Sequence, residues 1–444
     1  MNFDFYEGAA GTGKTHNLVG RAEEIVQIGA LSEGQKLLAL TFMNGARRRL
    51  DARLGQNAVF RRRYDCQTFD VFARMLATRR RSLITAEARE QAVTLGEFDG
   101  PCFLAATLLQ NETVRQWVAR SYPLVMVDEA QDLDEYRLLI LQRLSQSCQI
   151  VAAADAFQCL RGDCDTTALM SWLNNAGLKH PLTLVRRTQQ RGLLAAALAV
   201  REARDVKAVL TARTYKGRTT WVGEGFCLFE TSATLRNPAL LAWSIANDIA
   251  QRQGRVAVLT PDANNSIIRS ALQTVQSKTY ARKNSSVTFG PYPLTWDNND
   301  KEEADVILAN IALPDATSLP DLRDLLTPLA GHIAIAQALR RMDRLRRVSG
   351  QIIFTNTQVA NFVQETILHQ SRLGLRQQRG HLAMTIHRAK NREFPNVIVL
   401  WPHTATGTPE HLRRLLYNGI TRAQNHCTVI VTGQNRVNGA PFCP

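Results

Sequence analysis

From Gly8 to Thr15 the chain reads G-x-x-x-x-G-K-T, and few folds accommodate that pattern. Phe3-Asp4-Phe5-Tyr6, just before it, is short, aromatic-rich and alternating, as a strand would be. The residues from His16 to Ile28 read as a helix. A strand, a glycine-rich turn and a helix in that order make a cradle for an oxyanion. The glycines let several backbone N–H groups face one anion, and the helix N-terminus adds partial positive charge. Gly8, Ala9, Ala10, Gly11, Thr12, Gly13, Lys14 and Thr15 are therefore expected to bind a nucleoside triphosphate. Lys14 is expected to reach the β- and γ-phosphates and the Thr15 hydroxyl to ligate Mg²⁺.

Further apolar runs end on polar residues. Lys36–Leu40 leads to Thr41-Phe42, Leu124–Val127 to Asp128-Glu129, and Gln149–Ala153 to the neighbourhood of Asp155. Such continuous runs suit parallel strands covered on both faces. In open α/β sheets the C-terminal strand ends carry the ligand, so these stretches should meet the phosphate cradle at one crevice. Val256–Leu259, Gln351–Phe354, Val397–Leu400 and Thr428–Val431 are strand candidates of a second half built the same way. Residues 79–122 and 310–380 read as mostly helical, and 277–301 as a long irregular connection. Two α/β domains follow, 1–183 and 184–444, with small helical insertions at 79–122 and 310–380.

The net charge is +15, and 45 of the 54 basic residues are Arg, the other nine being Lys. That balance points to a polyanionic partner, most simply nucleic acid. No apolar run reaches the ~18 residues of a membrane span. The N-terminus enters a strand directly, with no room for a signal peptide, so a cytoplasmic protein is expected. The eight cysteines form no C-x-x-C pair, and reduced thiols are expected.

Asp128 and Glu129 follow a strand beside the phosphate cradle. One such carboxylate can hold Mg²⁺ (here Asp128, with Thr15), and the next, Glu129, can act as general base on the attacking water. The run Val127-Asp128-Glu129-Ala130-Gln131-Asp132 resembles superfamily 1 helicases of the UvrD/Rep/PcrA group. The remaining motifs follow in that family's order. Leu40–Asn44 and Gln67-Thr68-Phe69 resemble its strand-contacting motifs, implying nucleic-acid contacts by Thr41, Phe42, Asn44, Thr68 and Phe69. Ala154–Gln158 resembles G-D-x-x-Q, making Gln158 the γ-phosphate sensor. Val185-Arg186-Arg187-Thr188 resembles N-Y-R-S, which makes Arg187 an arginine finger and puts Arg186 against the base. Thr385–Phe394 resembles T-x-H-x-x-K-G-L-E-F, so Glu393 would bind the ribose while Thr385 and His387 face DNA. Leu415–Ala423 resembles L-L-Y-V-A-x-T-R-A, making Arg422 the second finger.

The resemblance implies two RecA-like P-loop domains, ATP and Mg²⁺ as cofactors, and translocation on single-stranded or partly duplex DNA with 3′-to-5′ polarity. The departures are informative. No adenine-reading Gln precedes Gly8, and Arg186 replaces the aromatic that stacks on adenine. Cys159-Leu160-Arg161 stands where base-stacking aromatics follow Gln158, and Asn391 replaces a Gly. The accessory domains are reduced. These features also suit a nucleotide-switched regulatory ATPase that controls a partner nuclease or other effector. Such small UvrD-like subunits occur in antiphage systems of the Gabija type, which this chain resembles in size and organisation.

Overall fold

The computed structural model describes residues 3–161, 166–215, 218–232, 238–281, 288–297, 307–308, 314–329, 333–373 and 380–444. Six strands form the first sheet: β1 Phe3–Gly8, β2 Leu37–Thr41, β3 Tyr64–Thr68, β4 Leu124–Asp128, β5 Gln149–Ala154 and β6 Leu178–Leu182. Their order is β3-β2-β4-β5-β1-β6, and every neighbouring pair is parallel. Their C-terminal ends therefore share one edge, where Gly8, Thr41, Thr68, Asp128 and Ala154 lie.

Period-two alternation divides each strand between two cores. Phe5, Leu38, Leu40, Val125, Val127 and Ile150 enter one cluster; Tyr6, Leu37, Ala39, Met126 and Val151 enter the other. Helix α1, Lys14–Gln27, covers the second cluster with Leu18, Ala22 and Ile25. The opposite face is covered by the helices Phe69–Arg79, Ala86–Leu108 and Glu135–Leu144. Cys102, Ala105 and Leu109, together with Val114 and Val118 from the helix Glu112–Ser121, belong to that same core. The stretch 79–122, expected to stand out as an insertion, thus supplies part of the layer that covers the sheet.

The second sheet contains strands that the sequence hid. Thr211–Tyr215, Arg218–Gly223 and Phe226–Thr231 join Val256–Thr260, Phe394–Trp401 and Ala423–Thr432. Among these six the order runs from Val256–Thr260 through Phe394–Trp401, Ala423–Thr432, Phe226–Thr231 and Arg218–Gly223 to Thr211–Tyr215. The first four are parallel and the last two pairings antiparallel. Thr211–Tyr215 is exposed at every position, so no apolar pattern marks it. The first sheet and these six strands lie in one compact unit, residues 1–290 with 385–444; residues 291–384 form a second. The second unit begins before the helical insertion expected at 310–380. It has its own core, where Leu322, Leu326, Met342, Val359 and Val363 pack around Phe354. The strand expected at Gln351–Phe354 is Ile353–Thr355, paired antiparallel with Ala316–Ser318. Among the described residues no helix is long and apolar enough to cross a membrane.

The described cysteines are free. Burial pushes the Cys66, Cys102, Cys148 and Cys227 thiols up to about 12, and Cys427 well above its ordinary value.

One expectation is corrected here. Phe69 begins its helix with its ring 1% exposed, packed in the core with Phe72, Ala73 and Leu76. Its ring is not available to stack on a base. We predict that Phe69→Ala lowers stability by about 3–5 kcal/mol, whereas Phe69→Leu binds single strands with wild-type affinity. Denaturant unfolding and strand titration check both; a selective loss of strand affinity in Phe69→Leu would restore the contact role.

Candidate nucleotide and nucleic-acid site

The phosphate cradle is a tightly determined turn. Gly11 has φ +79°, and a Cβ there would meet the Arg187 Cβ at 2.7 Å, so only glycine serves. The Gly11 carbonyl accepts from the Arg186 and Arg187 amides at 2.7 and 3.2 Å. Gly13, at φ +85°, places α1 so that its first turn faces the cavity. Lys14, 8% exposed, donates to the Gly8 and Ala9 carbonyls at 2.9 and 3.2 Å. The Thr12 hydroxyl donates to the Ala9 carbonyl at 2.9 Å. The Ala10 amide donates to the Tyr417 hydroxyl at 3.0 Å.

Strand β4 delivers the carboxylates. The Thr15 hydroxyl donates to Asp128 Oδ2 at 2.8 Å, and the Glu129 amide to Asp128 Oδ1 at 3.0 Å. Glu129 sits at φ +58°, a left-handed conformation costing about 1–2 kcal/mol for a residue with a Cβ. Strained backbone of this kind clusters at functional sites. The two acids are driven apart. Burial, then the neighbouring Glu129 charge, push Asp128 up to about 6. Burial also opposes ionisation of Glu129, but Lys14, Lys390, the Gln131 amide and Arg422 outweigh it and hold its carboxyl below the usual range. Gln131, fully buried, donates to Glu129 Oε2 and accepts from the Asp155 amide at 3.0 Å. Gln158 donates to Asp155 Oδ2 at 2.6 Å.

The second sheet's side supplies cations. Arg187 pairs with Glu393 at 2.8 Å and donates to the Thr421 carbonyl at 2.7 Å. Arg422, 2% exposed, donates to the Asn418 carbonyl at 2.9 Å and the Thr421 hydroxyl at 3.2 Å. Burial, then Arg187, lower its guanidinium to about 10. Burial works against ionisation of Glu393 too, but Arg187 and the Gln424 hydrogen bond hold it low. Asn391 takes φ +66°, the left-handed conformation for which Asn is among the better-suited residues after Gly. Next to it, Lys390 meets Asp132 at 2.5 Å with both side chains more than nine-tenths buried.

A cavity of about 250 Å³ joins these groups. Gly11, Gly13, Lys14, Thr15, Asp128, Glu129, Gln158, Arg186, Arg187, Glu393 and Arg422 line it. Arg49 and Arg53 line it as well. In sequence both belong to the basic cluster after Leu40–Asn44 and read as phosphate contacts for a single strand, not as lining of the nucleotide cleft. Five arginines and Lys14 against three carboxylates leave a cationic cleft, as a triphosphate requires.

The strand-contact candidates are less uniform. Thr41 is fully buried, its hydroxyl donating to the Met43 carbonyl at 3.3 Å. Thr68 caps the helix after it, accepting from the Val71 amide at 3.4 Å. Phe42 is half-buried, with the Arg161 and Arg137 guanidinia 4.4 and 5.4 Å from its ring centre. Asn44 opens the helix Asn44–Gln56, and its side chain lies outside the described residues. Thr385 caps the turn Ile386–Ala389, accepting from the Arg388 amide at 3.3 Å, and His387 is exposed.

Two family models match. Residues 5–162 match an AAA domain, and residues 381–430 a UvrD-like helicase C-terminal domain. No curated protein sequence matches the chain. The two matches, in that order, support a UvrD/Rep-like superfamily 1 helicase and imply ATP-dependent helicase or translocase activity on nucleic acid.

The Lys390–Asp132 pair makes its own prediction. Lys390→Met leaves Asp132 buried without that ammonium and costs about 3–5 kcal/mol, whereas Lys390→Met with Asp132→Leu recovers most of the loss. Urea unfolding of both variants measures this; a double variant no more stable than the single one overturns it.

Proposed function

We propose that this chain, built as a UvrD/Rep-like superfamily 1 helicase, hydrolyses ATP to move along single-stranded or partly duplex DNA, with the 3′-to-5′ polarity that resemblance implies. We place it in the cytoplasm. The observation that carries the reading is one cleft holding the phosphate cradle, the Asp128–Glu129 pair and both Arg187 and Arg422.

Each residue then has a task. The amides after Gly11 and the Lys14 ammonium hold the phosphates. Thr15 Oγ1 and Asp128 Oδ2, 2.8 Å apart, are a hard-oxygen donor pair suited to Mg²⁺, which would neutralise phosphate charge when bound. Glu129, kept ionised by the surrounding cations, takes the proton of the attacking water. Arg187 and Arg422 stabilise charge on the transferred phosphoryl group, with Arg187 leaving Glu393 to do so. Arg186 stacks on the base in place of an aromatic ring. Gln158 senses the γ-phosphate by exchanging its bond to Asp155. Thr385 and His387 with Phe42 and Asn44 mark the strand's path, and the buried Thr41 and Thr68 shape it from beneath through the Met43 carbonyl and the Val71 amide.

A second reading has its own support. Phe69 is in the core, Phe42 is flanked by guanidinia, and no aromatic follows Gln158 directly. Base–aromatic stacking contributes about 1–3 kcal/mol per base, so few such platforms suit a weak motor. In this reading, nucleotide turnover switches a partner effector such as a nuclease, with little unwinding. Unwinding of a partial duplex, measured alongside DNA-stimulated ATPase, separates the two; hydrolysis without strand separation selects the switch.

Glu129→Gln is expected to abolish multiple turnover while retaining nucleotide binding, and Lys14→Ala to weaken binding itself. Normal steady-state ATPase in Glu129→Gln removes it as the base. Arg187→Ala and Arg422→Ala should each cost about 10³-fold in turnover with a smaller change in nucleotide affinity. Either variant turning over normally at saturating DNA is not a finger.

A further inference from the structure

Tyr417 lies on the helix Pro409–Ile420, 3% exposed. Its hydroxyl accepts from the Ala10 amide of the phosphate cradle at 3.0 Å and from Arg201 Nη1 at 3.4 Å. The hydroxyl's two lone pairs thus serve two N–H donors. Arg201 also pairs with Asp155, 2.9 Å to Oδ1 and 3.1 Å to Oδ2. Asp155 is fully buried and carries the bond from Gln158, and its amide donates to Gln131, which holds Glu129. Rings reinforce the chain: Phe157 meets Tyr417 edge-to-face at 5.2 Å, and the Arg201 guanidinium lies 5.3 Å from the Phe157 ring centre. The phosphate cradle is therefore tied to Gln158 and Glu129 by a second route, independent of nucleotide.

We propose that Tyr417 and Arg201 are positioning residues for hydrolysis: the Ala10–Tyr417–Arg201–Asp155 chain fixes the cradle against the Gln158 and Glu129 side chains. This rests on the hydrolytic reading above. Tyr417 touches neither substrate nor metal by this argument; it acts through a backbone amide and through Arg201. Buried networks of this kind respond to loss of one member as a unit. Removing the hydroxyl leaves the Ala10 amide and one Arg201 donor short of an acceptor, while the ring and its packing remain.

Tyr417→Phe is expected to lower kcat about tenfold, with nucleotide KM within about twofold and a melting midpoint lowered by at most a few degrees, well above the assay temperature. Arg201→Lys keeps a charge beside Asp155 but loses the Nη1 position that meets Asp155 and Tyr417 together, and should cost a similar factor. The double variant should be no slower than the slower single one, because both break the same chain. Amide hydrogen exchange of a peptide covering residues 8–15 should speed up in Tyr417→Phe and not elsewhere on α1. Turnover within twofold of wild type, factors that multiply in the double variant, or a loss that tracks the melting midpoint each overturn the proposal. If the wild-type chain does not hydrolyse ATP, the hydrolytic reading fails. The exchange measurement still decides the Tyr417–Ala10 tether: unchanged protection of residues 8–15 overturns it.

Discussion

Asp128 and Glu129 are neighbouring carboxylates in the interior, and the site is arranged around that fact. Two like charges side by side in a low-dielectric region cannot both ionise without cations close by. The cations come from far along the chain: Lys14 from the cradle, Lys390 and Arg422 from the C-terminal stretch. Their distribution is uneven, so the pair separates into one acid that resists ionisation and one that favours it. Environments that drive two titrating groups apart are how a protein assigns them different chemical tasks. The first sheet alone holds the carboxylates and Lys14; Lys390 and Arg422, which complete the charge balance, arrive only with the second sheet's elements.

That dependence also explains the buried Lys390–Asp132 pair. Burying an ion pair seldom adds stability over a well-packed apolar pair, yet it is unforgiving of mispairing. A Lys390 that must find Asp132 in the interior fixes how the turn Ile386–Ala389 and the loop after β4 meet. Just past that turn Asn391 takes its left-handed conformation, and Glu393 stands at the threshold of the strand Phe394–Trp401 that follows.

Much of this was legible in the sequence, for physical reasons. The cradle is a local backbone pattern, and local patterns survive without knowledge of partners. Continuous apolar runs revealed β2, β4 and β5 because strands covered on both faces have no polar side to confuse the period. The reading failed where a side chain's fate depends on what packs over it. Phe69 looks identical in sequence whether its ring faces a base or the helix Ala86–Leu108. Arg49 could not be distinguished from Arg47 until the helix Asn44–Gln56 was placed against the cleft. Thr211–Tyr215 is exposed throughout and leaves no apolar signature of its pairing. Tyr417 and Arg201 are separated by more than two hundred residues, and only the three-dimensional arrangement joins them.

The thiols have a practical bearing. A cysteine reacts through its thiolate, and at neutral pH a thiol with a pKa near 12 is ionised in only about one molecule in 10⁵. Cys66, Cys102, Cys148 and Cys227 are in that range, and burial holds Cys427 well above its ordinary value. Mild oxidants and maleimides should therefore pass these positions over while the chain is folded. A cysteine installed on an open face of either sheet's helices would outcompete these five for a fluorophore, so distances across the cleft could be followed with those five thiols left in place.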